Sequence, residues 1–102
     1  MRKALVLLHG QPVAEFIEHH KTNYELIYLP GTQTLNISLT LPQTKSPFRF
    51  SEFPAFFEGL LPEGSQLTAL LRQNKLDERD YFSQLLAVGQ ELVGAVTITE
   101  IK

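Results

Sequence analysis

Residues 53–64 read Phe53-Pro54-Ala55-Phe56-Phe57-Glu58-Gly59-Leu60-Leu61-Pro62-Glu63-Gly64, and the fold turns on this stretch. Phe53, Phe56, Phe57, Leu60 and Leu61 stand at i, i+3, i+4, i+7 and i+8, the spacing of one apolar helical face. Ser51 is the expected N-cap, and Pro54 falls in the first turn. Gly59 weakens the helix, and Pro62-Glu63-Gly64 ends it. A short, very apolar helix therefore runs straight into a turn. A stripe of this kind is buried against a sheet, or serves as core and interface together; the periodicity leaves both open.

Upstream the pattern has period two. Lys3 to Leu8 is a short run rich in Val and Leu, His9-Gly10-Gln11-Pro12 is turn chemistry, and Val13 to Glu18 resumes as a strand, which predicts a hairpin. His19 to Asn23 is polar. Tyr24 to Leu29 has high β-propensity and stops at Pro30-Gly31. Leu35, Ile37, Leu39 and Leu41 alternate with polar residues, which predicts a fourth strand with one wet face. Gln43 to Ser46 is a polar loop, and Phe48 and Phe50 alternate briefly about Arg49.

Downstream the period becomes helical. Ser65 is the expected cap of a second helix, with Leu67, Leu70 and Leu71 as its stripe and Asn74-Lys75 at its end. Asp77 is the expected cap of a third, with Asp80 three residues on. Its stripe is Tyr81, Phe82, Leu85, Leu86 and Val88, and Gly89 is placed to cap it. Val93 to Ile101 closes the chain as a strand. The order predicts a single α+β domain over residues 1–102: an antiparallel sheet of about five strands, or a small barrel, with a three-helix excursion before the last strand.

Composition narrows the function. At 102 residues the chain suits one domain. The net charge is −2 with scattered Lys and Arg, so no basic stripe marks a nucleic-acid binder. Cysteine is absent, which removes disulfides and thiolate sites. The apolar run after Met1-Arg2-Lys3 is too short for a signal peptide, and nothing approaches the ~20 apolar residues of a membrane span. The expected location is the cytoplasm.

Catalytic equipment is equally sparse. His19 and His20 are adjacent and point to opposite faces if on a strand, and His9 lies in a separate turn, so no metal-ligand spacing arises. Asp77, Glu78 and Asp80 suit a helix N-terminus better than an acid–base pair. No serine lies in a Gly-x-Ser-x-Gly elbow, and the glycines form no phosphate cradle. Glu58 and Glu63 flank the apolar stretch, either as solvated helix-end acids or as contacts for a partner's Arg or Lys.

At this stretch the chain resembles the N-terminal subdomain of HipA-type toxin kinases. Phe56 to Gly64 is similar to the family's Phe-Phe-(Asp/Glu)-(Gly/Asn)-Leu-Leu-Pro-Glu-Gly signature. Leu8-His9-Gly10-Gln11-Pro12-Val13 is similar to its first hairpin, with His9 where Asn is usual. Leu39-Thr40-Leu41-Pro42 is similar to its Ser-Leu-Pro strand end. Asp80 to Gly89, then Gly94-Ala95-Val96, are similar to its helix, Leu-Leu-Ala-x-Gly turn and closing strand. Ser65 stands where many relatives carry an aromatic, often Trp. HipA-type kinases continue into a kinase core, whereas this sequence stops at Lys102, so it is similar to the separate small proteins, HipS-type, of three-gene HipBST systems.

That resemblance implies a non-catalytic antitoxin, without cofactor or metal, that binds and neutralises a HipT-like serine/threonine kinase toxin. A HipB-like DNA-binding protein is a candidate third member. The implied contact residues are Phe57, Glu58, Leu61, Pro62, Glu63, Gly64, Ser65 and Gln66, with Phe53, Phe56 and Leu60 turned towards the core. Two other readings stay open: a structural subunit that completes and stabilises the kinase without inhibiting it, and the excised N-terminal domain of a full-length HipA-type kinase.

Overall fold

The computed structural model describes residues 1–31, 36–92 and 94–101. The elements run β1 (Arg2–Leu8), β2 (Gln11–His20), β3 (Asn23–Tyr28), a 3-10 turn at Gln43–Lys45, β4 (Phe48–Phe50), α1 (Ala55–Glu58), α2 (Gly64–Asn74), α3 (Tyr81–Val88) and β5 (Val96–Ile101). The sheet is antiparallel throughout, in the order β4-β3-β2-β1-β5. The fold is α+β, with the three helices inserted before the last strand, as the period change predicts.

His9 and Gly10 both take positive φ, 51° and 81°. That is the geometry of a two-residue hairpin turn whose twist matches the strands, and His is one of the few side chains enriched there. A register shift between Val6 and Leu7 then sets Arg2 opposite Glu18.

One sheet face carries the core. Ala4, Val6, Ala14, Phe16, Leu26 and Ile98 on this face are fully buried. Phe16 is its centre. Its ring stacks on Phe57 at 4.1 Å and on Phe82 at 5.4 Å, and it meets Phe53 edge-on at 5.7 Å. α1 and α3 thus each deliver a phenylalanine to the same strand residue. α2 packs on α3 and buries no residue completely. Gln84, although polar, is buried because its side-chain amide donates to the Asp77 carbonyl at 3.1 Å.

Several expectations need correction. The predicted strand at 35–41 is not one: Leu35 lies outside the described residues, and Asn36 to Leu41 form a loop. The alternation arises because the loop folds back on Tyr28, whose hydroxyl donates to the Leu41 carbonyl at 2.6 Å and accepts from the Ile37 N–H at 2.9 Å. Ile37 and Leu41 are thereby buried while Leu39 is 96% exposed. The fourth strand is instead Phe48–Phe50, paired with β3. Val93 lies outside the described residues, and the closing strand begins at Val96.

The caps also differ. α1 starts at Ala55 after Pro54, so Ser51 is not its cap. α2 starts at Gly64 after Glu63, so Ser65 lies within it. α3 is capped by Asp80, whose carboxylate accepts from the Ser83 N–H at 3.2 Å. Asp77 closes the preceding turn instead, accepting from the Arg79 N–H at 2.7 Å. Gly89 keeps right-handed helical backbone, with φ −52°. Its lack of a side chain serves a different end: a Cβ there would lie 2.2 Å from the Ile98 carbonyl oxygen of β5. The same approach lets the Ile98 N–H donate to the Gly89 carbonyl at 2.9 Å, which ties the helix end to the sheet edge.

Candidate docking surface and the groove beside it

The chain from α1 into α2 is built by its own backbone. The Leu60 and Leu61 N–H groups donate to the Phe57 and Glu58 carbonyls, both at 3.1 Å, so the helix tightens into a turn. Gly64 takes φ +60°, a left-handed conformation that glycine adopts without strain. It opens α2, whose Thr68 hydroxyl returns to the Gly64 carbonyl at 3.2 Å.

Burial sorts the implied contact residues. Glu58, Glu63, Gly64, Ser65 and Gln66 are exposed, and Leu61 and Pro62 are half-buried. Phe57 has no exposed surface at all, so in this conformation it supports the surface from beneath. Phe53, Phe56, Leu60 and Leu61 all pack partly against the core. The deepest apolar residue of the stretch is therefore Phe57, and Leu61 leans inward with the others. Neither Glu58 nor Glu63 has an ion-pair partner among the described residues. The exposed part of the surface is thus a polar, acidic turn on a half-buried apolar base.

Beside it lies a groove of about 780 Å³ that the linear pattern does not reveal. Arg2 forms a wall of it held by several hydrogen bonds. Its guanidinium donates to Glu18 at 2.7 Å, to Asp80 at 2.9 Å and to the Ser83 hydroxyl at 2.7 Å, and it stands 5.0 Å from the Phe82 ring centroid. β1, β2 and α3 are joined through this one side chain. The hydrogen bond to Glu18 is the largest influence on Arg2 and, against the opposing effect of burial, holds it protonated well above its ordinary range. Burial alone would push the Asp80 carboxyl up; the hydrogen bonds from Arg2 and Ser83 outweigh it and hold the group below the ordinary carboxylate value. Burial raises the Tyr24 phenol, and the neighbouring Glu18 carboxylate adds to that.

The Asp80 shift fixes the sign of a pH effect. A carboxyl depressed in the folded state contributes stability that is present above its unfolded pKa of about 4 and is lost as pH falls through the lower folded value. The denaturation midpoints of the wild type and Asp80→Asn are therefore expected to differ at pH 7 and to converge as pH falls below about 4 and through the lower folded value. A gap that stays constant across that window would show that the Asp80 charge contributes nothing to stability.

The histidines take structural places. His19 Nε2 lies 2.8 Å from Glu25, a buried carboxylate that Arg49 also approaches at 3.5 Å. His20 lies by Thr22, and His9 sits in the hairpin turn. Among the described residues no group of three His, Cys, Asp or Glu side chains is placed to hold a metal, and no helix is long and apolar enough to cross a membrane.

Comparison with known proteins places this arrangement. An uncharacterised protein of Haemophilus influenzae is 32% identical over 102 residues, covering all of this chain and 95% of that protein. The kinase-like protein Y4mE of Sinorhizobium fredii is 32% identical over 75 residues, 74% of this chain, and the match spans only 18% of its own length. A solved structure titled the N-terminal domain of HipA toxin superposes with a TM-score of 0.79 at 25% identity, covering the whole chain and 94% of that one. The family profile described as the HipA N-terminal domain matches residues 4–99. The chain belongs to the HipA N-terminal domain family.

Proposed function

We propose that this protein is a non-catalytic, HipS-type antitoxin that binds and neutralises a HipT-like serine/threonine kinase toxin in the cytoplasm. The observation that carries the reading is the pair of relatives. One contains this domain as 18% of a kinase-like chain, and the other consists almost entirely of it. The same domain thus occurs both attached to a kinase-like body and as nearly the whole of a short protein. The exposed Glu63-Gly64-Ser65-Gln66 turn, resting on Leu61 and Pro62, is the surface that would meet the kinase. Ser65 offers a hydroxyl there, so contact would rest on the acidic and backbone groups around it.

Co-expression with a HipT-like kinase from the same genome is the test. The kinase is expected to co-purify and its growth arrest to be relieved. Failure of both defeats the proposal. A complex whose kinase activity is unchanged or raised would support the structural-subunit reading instead. Glu63→Arg, at an exposed position, is expected to weaken the complex roughly tenfold without altering the fold.

A further inference from the structure

The groove beside the docking turn carries a second set of groups like those that hold Arg2. Arg2 rests on an aromatic ring, Phe82, between two carboxylates, Glu18 and Asp80. The remaining lining again sets aromatic rings beside carboxylates, with Arg79 and Lys21 as its own basic residues. Phe53 and Tyr81 meet at 5.5 Å with their rings tilted by 50°, and Tyr24 closes against Phe53 edge-on at 5.6 Å. Tyr81 is 38% exposed, one of the few large apolar side chains that are. Glu52 and Glu58 line the same groove, exposed and without ion-pair partners among the described residues. With Glu18 and Asp80 occupied by Arg2, the free lining charges are Glu52, Glu58 and Asp77 against Lys21 and Arg79, a negative balance that favours a cation.

We infer that this groove receives an arginine side chain from the protein partner. A guanidinium stacks on an aromatic face and pairs with carboxylates through its planar fork, which suits it better than an ammonium to this mixture. Glu58 belongs both to the groove and to the proposed contact set, so the arginine would enter alongside the docking turn. The chemistry of the ligand is read from the groove; that the arginine belongs to a kinase rests on the proposed function.

The test uses two probes. Nα-acetyl-arginine amide, titrated into the ¹⁵N-labelled protein, is expected to shift the amides of Glu52, Phe53, Glu58 and Tyr81 saturably in the millimolar range, whereas the uncharged citrulline counterpart shifts none. The double substitution Glu52→Gln/Glu58→Gln is expected to abolish saturation and to weaken the kinase complex roughly tenfold or more, while circular dichroism stays unchanged. Equal shifts with citrulline, scattered shifts, or a kinase complex indifferent to the double substitution would overturn the inference and leave the kinase reading intact. If the arginine probe saturates the groove but the kinase never co-purifies, the kinase reading falls and the arginine site stands.

Discussion

Phe57→Ala is expected to lower stability by about 3–5 kcal/mol, the range for removing a fully buried phenylalanine. A domain of this size has only about 5–15 kcal/mol in total, so much of the margin disappears. The reason is geometric. The Phe57 ring stacks on Phe16 at 4.1 Å and meets Phe56 edge-on at 5.2 Å, and Phe16 in turn stacks on Phe82 from α3. Removing it leaves a cavity where α1, α3 and the sheet meet. α1 is only four residues long and cannot persist without that anchor, because short helices draw their stability from packing. Guanidinium denaturation followed by circular dichroism should show the midpoint falling with little change of slope. Loss of partner binding in this variant would follow from the lost fold. A Phe57→Ala protein that stays as stable as the wild type yet fails to bind a kinase would make Phe57 a contact residue after all.

Gly89→Ala is expected to be the second most damaging single change, at about 2–4 kcal/mol. Overpacking accounts for about 1–3 kcal/mol and the strained hydrogen bond for about 1 more. Alanine is ordinarily a better helix former than glycine, so propensity alone predicts a stabilisation. Space decides the sign instead. The new methyl would stand 2.2 Å from the Ile98 carbonyl oxygen and 2.9 Å from its carbonyl carbon, all on the strand rather than on a movable side-chain end. α3 must retreat from β5, which stretches the 2.9 Å bond from the Ile98 N–H. The thermal midpoint should drop by about 8–32 °C, taking roughly 4–8 °C per kcal/mol for a domain of this size. A midpoint that holds or rises would mean that the helix end and β5 separate at little expense.

These two residues also show how far the sequence could be read. The class of fold followed from the change of period at residue 53, because an amphipathic stripe and an alternating strand bury different positions. Phe57 was legible as apolar and helical, but not as the deepest member of its stripe. Depth depends on which neighbour meets Phe16 across the sheet, and that is a tertiary fact. Gly89 was legible as a helix end but for another reason, since both a left-handed cap and a close approach call for glycine. The loop at 36–41 misled because Tyr28, through one hydroxyl, buries Ile37 and Leu41 at strand-like spacing. The candidate docking turn was visible as Pro62-Glu63-Gly64 punctuation. The groove was not. A two-residue turn at His9-Gly10 pairs Arg2 with Ile17, and only the register shift after Val6 brings Glu18 opposite. Nothing local in the chain announces that shift, so the wall that Arg2 organises could not be assembled from spacing alone.

The pairing of the first strand with the last has a consequence for how this domain travels among proteins. β1 lies against β5, with Lys3 opposite Ile101, so the chain enters and leaves at one corner of the sheet. Such a unit can be joined to a larger body, released from it, or reconnected in another order without severing a single ladder, because its boundary crosses no strand. A module with that property can keep the same fold whether it forms part of a larger chain or nearly the whole of a short one.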